Sequence, residues 1–115
     1  MTQLHIVRSG GFAGATEFIH VDDLDVESPN VRVEAFLSTP QDHTLARDLR
    51  DQLRSAISDL EANAAGAGDP PRGADRYQWD ITTGASDHAL VFHDPIANPA
   101  AQAIAAVATQ LFAAS

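Results

Sequence analysis

Five histidines, sixteen acidic side chains and one glycine-rich run are the features of this chain that lend themselves to chemistry. His88 and His93 are five positions apart on a predicted strand, so alternation sends them to opposite faces, and His43 stands near a predicted helix start. Only His5 and His20 are expected as neighbours. They oppose each other if a hairpin pairs Arg8 with Glu17, which allows a two-ligand site but supplies no third ligand and no acid of fixed geometry. The competing reading is two half-exposed sheet histidines, and no metal is assigned. The acids Asp22, Asp23 and Asp25 read as a solvated turn, because an acid/base pair needs one carboxyl buried.

Nucleophilic catalysis finds no support. There is no Gly-x-Ser-x-Gly elbow, and no serine has a histidine and an acid at a suggestive spacing. The absence of cysteine excludes disulfides, thiolate metal sites and a thiol nucleophile together. The run Gly10-Gly11-Phe12-Ala13-Gly14 has the composition of a phosphate cradle, yet such a loop needs a helix after it to present its amides, and here a strand follows. No cofactor and no enzymatic activity are expected.

The elements that must carry these residues begin with a hairpin. Leu4 to Arg8 and Thr16 to Val21 alternate as strands about the glycine-rich tip. Pairing Arg8 with Glu17 places Ile6 opposite Ile19 and Leu4 opposite Val21 on one face, with His5, Val7, Phe18 and His20 on the other. Val31, Val33, Ala35 and Leu37 alternate in a third strand. Thr39-Pro40-Gln41-Asp42 then reads as a helix start with proline at the first helical position, followed by an apolar stripe of Leu45, Leu49, Leu53, Ile57 and Leu60. Arg47, Asp48, Asp51, Arg54 and Asp59 fill its solvated face. A Gly/Pro-rich connection from Ala64 to Gly73 leads to strands over Arg76–Thr82 and His88–His93, with Tyr77, Trp79 and Ile81 to one side. Asn98-Pro99 caps a last helix whose Ile104, Val107, Leu111 and Phe112 share a face. The expected fold is α+β, a small antiparallel sheet of four to five strands packed with two helices in the order β-β-(β)-α-β-β-α.

A length of 115 residues, 44% hydrophobic, fits a single domain spanning 1–115. Seven basic against sixteen acidic residues leave a net charge of -9, which disfavours nucleic acid and anionic membrane. It favours a basic protein surface, with salt-sensitive association, though the same charge also serves plain solubility. No apolar run approaches the roughly 20 residues of a membrane helix. The first residues alternate rather than forming a signal-peptide core, so a cytoplasmic protein is expected.

Ser9-Gly10-Gly11-Phe12-Ala13-Gly14 after a short strand, together with Asp75-Arg76-Tyr77-Gln78-Trp79-Asp80-Ile81-Thr82, resembles the emfourin family. These are small proteinaceous inhibitors of thermolysin-like (M4) zinc metalloproteases. The resemblance covers the first hairpin and about Arg72 to Phe92. The middle departs from it, since Glu27 to Ser38 looks like an added strand where the family runs almost directly into a helix. What the resemblance implies is tight binding to such a protease, with no cofactor, by a monomer or weak homodimer. An inhibitor of this kind needs an exposed, rigid segment with an apolar anchor. Two segments qualify: Gly10, Gly11, Phe12, Ala13 and Gly14 at the tip, and Leu24 with Asp22 and Asp23. For both Phe12 and Leu24 the alternative is burial in the core. The rival function is a non-inhibitory interaction or regulatory scaffold with a different partner.

Overall fold

The structure is a computed structural model that describes residues 3–10, 15–35, 39–62, 77–84, 90–93 and 98–114. Among these residues the fold is α+β, a six-stranded antiparallel sheet with two helices. The strands are β1 (Leu4–Gly10), β2 (Ala15–Val21), β3 (Asn30–Glu34), β4 (Gln41–Thr44), β5 (Tyr77–Thr83) and β6 (Leu90–His93), and the helices are α1 (Arg47–Ala62) and α2 (Pro99–Ala113). Their order across the sheet is β4-β3-β2-β1-β5-β6.

The first hairpin has the expected register, with Leu4 opposite Val21, Ile6 opposite Ile19 and Arg8 opposite Glu17. On the other side β1 pairs with β5, placing Ile6 opposite Ile81 and Arg8 opposite Trp79. Alternation therefore gathers Leu4, Ile6, Ile19, Val21, Val31, Val33, Trp79, Ile81 and Phe92 on one face, where all are buried. The helices complete this core with Leu53, Ile57 and Leu60 from α1 and Ile104, Val107 and Phe112 from α2. The opposite face carries His5, Val7, Phe18 and His20.

The start of α1 differs from expectation. Residues Gln41–Thr44 form β4, paired with β3 from Asn30 opposite Thr44 to Val33 opposite Gln41, and the helix begins only at Arg47. Thr39, Pro40 and Asp42 satisfy a capping pattern locally, but without β4 the far edge of β3 would be left unpaired, and sheet pairing overrides a weak local signal. His43 accordingly sits on an edge strand. The sheet thus has six strands where four to five were expected. β3 lies between β2 and β4, so both its backbone edges are used and it offers no free edge for pairing with a second copy.

The second helix starts as its sequence dictates. Asn98 Oδ1 accepts hydrogen bonds from the backbone amides of Ala100 at 2.9 Å and Ala101 at 3.2 Å, and Pro99 occupies the first turn. Its face of Ala101, Ala105 and Ala108 is buried, the small side chains permitting close approach. On α1 the buried Arg50 is unexpected. Its Nε lies 3.1 Å from Asp51 Oδ1 yet is without a hydrogen bond. No helix among the described residues is long and apolar enough to cross a membrane. The connection from Ala64 to Gly73, the tip residues Gly11 to Gly14, Asp75, Arg76 and His88 lie outside the described residues.

Candidate functional site

Of the two segments expected to meet a partner, the described residue of the first, Gly10, and Asp22 to Leu24 of the second sit at opposite ends of the first hairpin. Gly10 closes β1 opposite Ala15, whereas Asp22 follows Val21 at the far end of β2. The length of β2 separates them, about 20 Å at the usual strand rise. A single compact contact therefore does not engage both.

Leu24 is corrected from anchor to core. Its side chain is fully buried, so it has no apolar surface to offer a partner. The turn around it holds it inward: the Asp23 carboxylate accepts a hydrogen bond from the Asp25 amide at 2.9 Å, and Arg54 reaches Asp25 at 3.6 Å from α1. Asp22 remains exposed and lies 2.8 Å from His20 Nε2, while Asp23 is half-buried. Asp22 and Asp25 are exposed, in keeping with the solvated turn expected of these acids.

At the other end, Gly10 has φ of 94°, a left-handed conformation that glycine adopts without cost. Gly10→Ala should destabilise the protein by about 1 kcal/mol or more through strain in the folded state. A denaturation midpoint unchanged by the substitution would contradict this. Gly10 is also paired with Tyr77, the first residue of β5. Gly10, the first glycine of the run, and the aromatic strand, far apart in the chain, are thus neighbours at one end of the sheet.

Beneath this end the helix-facing side is charged. Arg8 Nε donates to Glu17 Oε1 at 2.8 Å and Nη2 donates to the same oxygen, with both side chains about nine-tenths buried at 13% and 11% exposure. The guanidinium carbon lies 4.7 Å from the Tyr77 ring centroid, 5.6 Å from that of Trp79 and 4.4 Å from that of Phe112. Each ring presents π density to a cation held largely away from water, where such contacts are strongest. The Arg8–Glu17 pairing was legible in the sequence. The aromatic enclosure was not, because it requires β5 to pair with β1 and the end of α2 to lie over both.

The open face carries the His5 and His20 pair. Their rings meet edge to face at 5.6 Å between centroids, with the Phe18 ring 6.3 Å from His5. Burial, and secondarily the neighbouring His20, lower the pKa of His5 below its ordinary value. The unfolded chain then takes up a proton at His5 more readily than the folded one. Stability linked to His5 is complete above about pH 6.5 and declines as pH falls below it. His20→Gln should raise the His5 pKa part of the way back, read from its imidazole proton shifts. An unmoved or lowered value would contradict the assigned cause. Among the described residues no group of three or more His, Asp or Glu is placed to hold a metal ion.

Comparison of the sequence with protein-family models and with curated proteins finds no match.

Proposed function

We propose that this chain is a proteinaceous inhibitor of a thermolysin-like zinc metalloprotease, acting in the cytoplasm by tight protein–protein binding and without a cofactor. The observation that supports this most is the pairing of Gly10 with Tyr77. It brings together the described parts of the two segments on which the resemblance to emfourins rests, Ser9-Gly10 and Tyr77-Gln78, at one end of the sheet beside the enclosed Arg8–Glu17 pair. A protease inhibitor profits from such a base, because a loop held in place before binding loses less entropy on association. With Leu24 in the core, Phe12 is the anchor of this reading.

The test is Phe12→Ala. Removing an interface anchor should weaken protease binding by about 2 kcal/mol or more while the melting temperature is retained. A lowered melting temperature with unchanged affinity would instead assign Phe12 to the core. Complete absence of binding by the unaltered protein would favour the interaction scaffold with another partner.

A further inference from the structure

One face of the sheet packs on the helices and the other meets solvent, an arrangement in which the outer face of an antiparallel sheet is ordinarily polar. Its centre here is not. Phe18 of β2 is 37% exposed and stands opposite Val7 of β1. The strand registers join these two into one cross-strand row, Glu34–Phe18–Val7–Asp80–Val91, running from β3 to β6. Alternation turns the whole row outward, since the chain neighbours Val33, Ile19, Ile6, Ile81 and Phe92 are buried in the core.

A carboxylate thus flanks the apolar pair on each side, Glu34 and Asp80 lying three strand spacings apart, about 14 Å. Asp80 Oδ1 accepts a hydrogen bond from Gln78 Nε2 at 3.0 Å, and neither carboxylate has a basic partner among the described residues. Arg32, on the same face, lies 3.5 Å from Asp42 instead. This charge pattern selects among occupants. A second copy would bring like carboxylates together between chains that each carry a net charge of -9, and nucleic acid or an anionic bilayer meets the same repulsion. A protein segment with apolar residues between two cations is complementary at every point of the row.

We propose that this open face docks a basic protein segment, its apolar residues resting on Phe18 and Val7 and its flanking lysines or arginines on Glu34 and Asp80. The probe is a peptide selected from a random-peptide phage library on the full chain at physiological salt, then synthesised. No protease enters the test, so its outcome is independent of the inhibitor reading. The selected peptides should carry an apolar centre with Lys or Arg on both sides, and should shift the amide resonances of Val7, Phe18, Glu34 and Asp80 most. Phe18→Thr, which keeps strand propensity, should weaken binding by about thirtyfold. Glu34→Gln with Asp80→Asn should weaken it by about fivefold. Glu27→Gln with Glu61→Gln removes two charges as well, one beside Arg47 and one on α1, and should change binding by less than about twofold.

Equal losses from the two charge-neutralised pairs would overturn the proposal, because net charge alone would then govern binding. Peptides without basic residues, shifts centred on another surface, unchanged binding by Phe18→Thr or failure to select any peptide would overturn it too. So would a dimer in solution that Phe18→Thr dissociates, since the face would then belong to a second copy.

Discussion

Leu24→Ala is expected to destabilise the fold by about 3 kcal/mol, the cost of removing a fully buried leucine and leaving a cavity that the surroundings only partly fill. In a domain of this size that lowers the melting temperature by about 10 °C or more. The expectation follows from the turn geometry as much as from burial. The Asp23 carboxylate and the Arg54–Asp25 contact hold the segment over the core, so the site cannot collapse freely. Thermal unfolding followed by circular dichroism measures the effect. A shift of less than about 2 °C would mean that the leucine is free to leave the core, restoring it as a surface anchor.

Glu17→Ala should cost a similar amount, about 3 kcal/mol, because it strips the Glu17 carboxylate from a buried guanidinium. The comparison with the double substitution Arg8→Met and Glu17→Gln separates the worth of the pair from the penalty of breaking it. Replacing both members leaves no buried charge unpaired, and its cost should be well below that of Glu17→Ala. Urea unfolding with an unchanged slope gives both values on one scale. Equal costs for the two variants would show that lost volume, and not an uncompensated cation, governs this site.

The hairpin was legible in the sequence because its signals are local and mutually consistent. Charge pairing of Arg8 with Glu17 and apolar pairing of Ile6 with Ile19 select one register, and a slip by one residue would turn every buried side chain to solvent. The cap at Asn98 was equally plain, since side chain and amides lie within three residues. β4 was hidden for the opposite reason. Gln41–Thr44 carries a single charged residue and no apolar one, and only the edge of β3 makes it a strand. Its neighbourhood meanwhile offers Pro40 where a helix accepts one, so local chemistry pointed elsewhere.

The site was partly legible on the same terms. Glycine at Gly10 was readable as a reversal, and positive φ there agrees. That Asp22, Asp23 and Leu24 lie a strand length from the tip follows from the hairpin itself. Burial of Leu24 does not, for an isolated leucine among acids resembles an exposed anchor until the tertiary packing that buries it is known. The enclosure of Arg8 joins residues 8, 17, 77, 79 and 112, and no local pattern links separations of that size.

The most direct test of the inhibitor reading is titration of the purified protein against a panel of thermolysin-like zinc metalloproteases, with hydrolysis of a short peptide substrate as the signal. At least one enzyme is expected to lose activity linearly with added protein, reaching full inhibition near a one-to-one ratio, with association slowing as salt screens the net charge of -9. Activity unchanged across the whole panel at a large excess of the protein would contradict it.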